Sequence, residues 1–132
     1  MTIWLRLHLT AVLCALSVRR DLARDKPLLP DSTTAKKRQA PSPDVVVTAL
    51  LASRRAVARL SPLNTCLTRS VVLYRLLERY DGVAIHFGFR RREGALEGHA
   101  WVTVDGEAVG EPDGALDGYT EAATPPPTAA FG

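Results

Sequence analysis

The hydrophobic period of this chain changes once, at Asp81-Gly82, and that change fixes the fold class. Before it, apolar residues recur at helical spacing; after it, they alternate. Val45, Val46, Ala49, Leu50, Ser53, Val57 and Leu60 predict one helix. Asp44 is its expected N-cap and Ser61-Pro62 its stop, because proline disfavours helical geometry in the residue before it. Leu67, Val71, Leu73, Tyr74, Leu77 and Tyr80 form the stripe of another helix, ended by Asp81-Gly82. It begins at Thr65 or Cys66, where Asn64 and Thr65 are both competent caps. Val83, Ile85, Phe87 and Phe89 then alternate with Ala84, His86, Gly88 and Arg90, as in a strand with one buried face. Arg92-Glu93-Gly94 turns the chain, His99 to Val104 is a second strand, Asp105-Gly106 a hairpin signal and Glu107 to Glu111 a third strand. Helices first and a small antiparallel sheet afterwards predict an α+β domain.

The 132 residues suffice for one core. The expected division is an N-terminal helix and proline-punctuated connector over 1–43 (the connector including Pro27 to Thr34), a main domain over 44–118 and a flexible tail over 119–132. A net charge of +3, dispersed over Lys36-Lys37-Arg38, Arg54-Arg55 and Arg90-Arg91-Arg92, is too small to argue for nucleic acid; these groups read as solvated surface. Two cysteines, Cys14 and Cys66, make no disulfide framework, so reduced thiols and a cytoplasmic location are expected. The apolar stretch Ile3 to Leu16 is interrupted by Arg6 and His8, and the run Leu9 to Val18 is too short to span a bilayer. No small-x-small cleavage site precedes Arg19-Arg20. A packed N-terminal helix is expected, with membrane contact the less favoured alternative and Cys14 a small buried hydrophobe.

Chemistry concentrates in two segments. Cys66 opens a helix, where the dipole and unpaired N–H groups favour thiolate over thiol. His99 opens a strand, His99-Ala100-Trp101-Val102, from which an imidazole can take the thiol proton and return it to a leaving amine. A carboxylate must then hold the imidazole. Asp105 lies six residues along an extended strand, roughly 20 Å away at about 3.3 Å per residue. Glu111, on the returning strand, is within reach, but its face depends on the turn. A two-residue Asp105-Gly106 loop pairs Ala100 with Glu111 and sends His99 and Glu111 to opposite sides of the sheet. A three-residue loop, Val104-Asp105-Gly106, pairs His99 with Glu111 on one face. A triad containing Glu111 therefore predicts the bulged hairpin, unless another distortion intervenes.

Rival readings belong to the same residues. A zinc site of Cys66, His86 and His99 has no close-spaced ligand pair of the kind such sites show. His86 reads as a structural histidine on the outer strand face. Trp101 lines a groove or simply packs, and Arg69 serves the helix surface or a nearby carboxylate. No cofactor is expected. A non-catalytic binding or scaffold module of the same fold is the alternative to an enzyme.

Taken together, Leu63-Asn64-Thr65-Cys66-Leu67-Thr68-Arg69-Ser70, the Leu-rich helix, His99-Ala100-Trp101-Val102, and Asp105-Gly106 leading to Gly110-Glu111-Pro112 resemble the lasso-peptide leader peptidases. These are the peptidase half of the split B protein, similar to the C-terminal domain of the microcin-processing protein and related to transglutaminase-like enzymes. The resemblance spans about half of the chain, from near Ser61 to Pro112. It implies a transglutaminase-like, papain-like cysteine peptidase fold, with Cys66 at the nucleophile's position and His99 at the base's. Glu111 stands where many members carry aspartate. It further implies leader removal from a ribosomally made precursor peptide. The implied partners are a separate leader-recognition protein and an asparagine synthetase-like cyclase that closes the macrolactam. One oxyanion donor is the backbone N–H of Cys66; for the second, Asn64 is the candidate.

Overall fold

The computed structural model describes residues 2–23, 39–60 and 65–122. Three helices, α1 (Ile3–Ala23), α2 (Pro43–Leu60) and α3 (Cys66–Leu77), precede four strands, β1 (Val83–Arg92), β2 (Ala95–Val104), β3 (Glu107–Ala108) and β4 (Thr120–Glu121). The strands form one antiparallel sheet in the order β3-β2-β1-β4. This is the α+β arrangement that the switch of period predicts.

Helix α2 starts two residues earlier than expected. Pro43 takes the first helical position, where its missing N–H costs nothing, and the Ser42 hydroxyl accepts from the Val45 N–H at 3.4 Å. Asp44, expected as the cap, sits instead in the first turn, where its charge suits the positive helix end. The expected stop at Ser61-Pro62, the connector Pro27 to Thr34 and the tail from 123 lie outside the described residues.

Helix α3 is the centre of the domain. Leu67, Val71, Val72, Leu73, Leu76 and Leu77 are all buried, so it touches neighbours on nearly every side. The Thr65 side chain caps it by accepting from the Thr68 N–H at 3.3 Å. Such a cap contributes about 1 kcal/mol, whereas each buried aliphatic side chain contributes roughly 1.5–3 kcal/mol. Packing therefore decides where α3 lies, and the cap only decides that Cys66 is its first residue.

Ala11, Ala15 and Val18 of α1 are fully buried in the same core as α2 and α3. Leu5, Leu9, Val12, Leu13 and Leu16 of α1 are exposed. Among the described residues, no helix is long and apolar enough to cross a membrane. Cys14 is half-buried rather than enclosed, and burial pushes its thiol up.

The β1–β2 hairpin pairs all ten residues of each strand through a tight turn at Glu93 and Gly94, both left-handed (φ 52° and 79°). β2 thus begins at Ala95, four residues before the expected start at His99, because Arg92 pairs directly with Ala95. Residues opposite one another share a face. Val83, Ile85 and Phe87 with Ala100, Val102 and Val104 turn towards the helices; His86 and Gly88 with His99 and Trp101 turn away.

The second hairpin departs from the expectation. Asp105 and Gly106 (φ 51° and 82°) form a two-residue turn, with Val104 opposite Glu107 and Thr103 opposite Ala108. The three-residue bulged loop is not formed. The third strand also ends early: Val109 donates to the Val102 carbonyl at 2.9 Å, and then Gly110, at φ 71°, takes the chain out of the ladder. At the other sheet edge Thr120 and Glu121 pair with β1, and the Ala122 N–H reaches the Phe87 carbonyl at 2.7 Å. Residues 119–122, expected to open the flexible tail, are held there by β1's otherwise unpaired edge.

Candidate active site

The early end of β3 leaves part of β2 without a strand neighbour. In an uninterrupted ladder Glu111 would face Ala100 and take up its N–H and carbonyl, because Val102 and Ala100 point their backbone groups to the same side. Helix α3 takes them up instead. The Ser70 hydroxyl donates to the Ala100 carbonyl at 2.9 Å, and the Ala100 N–H bonds to the Cys66 sulfur. Cys66 and Ser70 lie four apart, on one side of α3, so both meet the open edge. The amino terminus of the helix is thereby pinned beside His99.

The break at Gly110 also settles where Glu111 goes. The two-residue turn by itself would put Glu111 on the face opposite His99. A left-handed residue at Gly110 redirects the chain, and the Glu111 Oε2 lies 3.1 Å from the His99 Nε2. The distortion needed to reunite the two is in the strand rather than in the turn. With Nε2 committed to Glu111, Nδ1 is the nitrogen left for Cys66, with which His99 makes a second hydrogen bond.

The electrostatics follow from these contacts. Burial alone would push the Cys66 thiol up. The hydrogen bond from His99, the Ala100 N–H, the His99 charge and the Arg69 charge outweigh it, and the thiol lies below its ordinary value of 9.0. His99 moves the other way: its bond to Cys66 raises it, burial opposes, and the bond and charge of Glu111 raise it further above 6.5. The two shifts are one fact, that thiolate and imidazolium stabilise each other at this spot.

On the outer face His99 stacks on Trp101 at 5.8 Å between ring centroids, and Tyr119 packs on His99 at 5.3 Å. Arg90 lies over the Tyr119 ring at 4.4 Å and bonds to the Asp117 carbonyl at 3.2 Å. Trp101 is buried and stacks on His86 as well. His86 is tied to Glu121 through Nδ1 and to the Thr103 hydroxyl through Nε2 at 2.8 Å. Trp101 stacks on both His86 and His99, and among the described residues no group of His, Cys, Asp and Glu is arranged to hold a metal.

Cys66, His99 and Glu111 open onto a cleft of about 310 Å³. Leu50, Ser53 and Arg54 of α2 form one wall, Arg69, Ser70 and Leu73 of α3 another, and Val102, Val109 and Pro112 complete it. Arg69 is thus part of the site, its charge felt by the thiol, and not only helix surface. Asn64, the candidate second oxyanion donor, lies outside the described residues. Ser70, Gly110, Arg54 and Tyr119 were not singled out as site residues from the sequence. Of these only Gly110 carried a signal, a glycine inside a strand pattern.

Comparison with known families gives one match: the transglutaminase-like superfamily, over residues 11–124. The match covers α1 from Ala11 together with every other element. No curated protein and no solved structure matches the chain.

Proposed function

The chain belongs to the transglutaminase-like superfamily, and on that footing we propose that it is a cysteine peptidase removing the leader from a ribosomally made lasso-peptide precursor. The observation that supports the chemistry best is the relay Cys66–His99–Glu111, with a lowered thiol and a raised imidazole at an open cleft. A scaffold that only bound peptide would have no use for a thiolate beside an imidazolium. The lasso assignment draws on the likeness of the Cys66, His99 and Gly110-Glu111-Pro112 segments to that group of peptidases.

The reaction runs as follows. His99 holds the proton of Cys66, and the thiolate attacks the scissile carbonyl carbon. The Cys66 N–H has no intrahelical acceptor at the first helical position and meets the developing oxyanion. The carbon–nitrogen bond breaks, and the amine leaves with the proton from His99. Neutral His99 then takes a proton from water, hydroxide attacks the thioester, and the acid product leaves Cys66 as thiolate. Glu111 keeps Nε2 protonated, so that Nδ1 does this work in both halves. Neither metal nor cofactor enters these steps.

The partners in this reading are the precursor, a separate protein that grips its leader, and an asparagine synthetase-like cyclase, all in the cytoplasm. The test is reconstitution with precursor and recognition protein, following peptide mass. Wild-type chain should release the leader and Cys66→Ala should release none. Leader release by the alanine variant at the wild-type rate would refute the peptidase.

A further inference from the structure

Glu111 meets His99 only because Gly110 takes a left-handed conformation, and that residue is held from outside the sheet. The Arg54 Nη2 donates to the Gly110 carbonyl at 2.8 Å, from a residue fifty-six positions earlier in the chain. Leu50, one turn before Arg54 on the same side of α2, presses on the same spot: a Cβ at Gly110 would lie 2.9 Å from both the Arg54 Nη2 and the Leu50 Cδ1. β3 has ended by this point, so no ladder bond fixes the chain between Val109 and Glu111. We propose that Arg54 is a positioning residue for the catalytic carboxylate, a latch from α2 that fixes the Gly110 carbonyl and so aims Glu111 at His99. The inference rests on the peptidase reading only in calling that carboxylate catalytic.

The direction of the effect follows from the chain geometry. Without the guanidinium, the Gly110–Glu111 peptide has other rotations open to it, because glycine populates both signs of φ. Glu111 then spends less time at His99, and part of the raised affinity of His99 for its proton is lost. One hydrogen bond to an exposed arginine is a modest restraint. The expected loss is roughly three- to tenfold in the occupancy of the His99–Glu111 contact. Arg54 is exposed and Ala52, Ser53, Ala56 and Val57 carry the packing of this part of α2, so substitution leaves the core intact.

The experiment is an NMR titration of the His99 imidazole in wild type, Arg54→Met, Arg54→Lys and Glu111→Gln. In wild type, His99 should titrate above 6.5. Arg54→Met should bring it down part of the way, and Arg54→Lys should restore some of the loss. In the Glu111→Gln background, Arg54→Met should add nothing, the signature of a residue acting through another. A His99 titration unchanged by Arg54→Met, or a further shift when Glu111 is already gone, overturns the latch. A wild-type His99 that titrates at or below 6.5 would strike at the peptidase reading itself, which is a different and recognisable failure.

Discussion

The two hairpins of the sheet share one turn and part company within three residues. Both use a left-handed pair, Glu93-Gly94 and Asp105-Gly106, and both start a regular antiparallel ladder. The first ladder runs ten pairs; the second runs two and one further bond, then breaks at Gly110. The first hairpin satisfies its backbone groups within itself and so builds a platform. The second leaves the Ala100 backbone unclaimed, and α3 claims it with Cys66 and Ser70. A site is made where a strand is cut short, because an open edge is the one place on a sheet where another element's side chains can reach the backbone.

The sharpest way to break this contrast is to remove the carboxylate that the shortened strand delivers. Glu111→Gln should lower activity on the precursor by about two orders of magnitude, the scale of lost acid–base assistance. It should also change the pH profile in a defined sense. The productive state needs Cys66 deprotonated and His99 protonated, so the acid limb follows Cys66 and the alkaline limb follows His99. Losing Glu111 lets His99 fall, so the alkaline limb moves to lower pH and the active window narrows from that side. Steady-state rates across pH check this, and an unchanged window would count against Glu111.

Next in size is Gly110→Ala against Gly94→Ala. Both glycines are left-handed, but only Gly110 faces Leu50 and Arg54, whereas nothing lies within 4 Å of a Cβ at Gly94. Denaturant unfolding should show a loss of roughly 2–5 kcal/mol at Gly110, from backbone strain and crowding together. At Gly94 the loss should be about 1 kcal/mol, with activity kept. Smaller than the loss at Gly110 is that of Ser70→Ala, which deprives the Ala100 carbonyl of its donor and should cost about 1–2 kcal/mol in the same measurement. Equal effects at the two glycines would remove the distinction between the hairpins.

The same contrast explains what could be read from the sequence. The helices and the first strand pair follow from hydrophobic period and turn residues, which are local signals. So does the placing of Cys66 at a helix start, with a Thr65 cap. The register of the second hairpin was legible as a choice between two turns, and the structure takes the tighter one. What escaped was the means by which Glu111 returns to the His99 face. That depends on Gly110 being held by Arg54 and Leu50, a contact between α2 and the far end of the sheet that no local pattern announces. Tyr119 was missed for the same reason: it reaches His99 only because residues near it find the free edge of β1.

Site-resolved alkylation of Cys66 as a function of pH tests most directly whether this broken edge makes a nucleophile. Cys14 serves as the comparison in the same sample, since burial pushes its thiol up. The Cys66 reaction should come on at a pH clearly below the ordinary thiol value of 9.0, with Cys14 lagging above it. A Cys66 that reacts only at or above 9.0, in step with Cys14, would contradict the account.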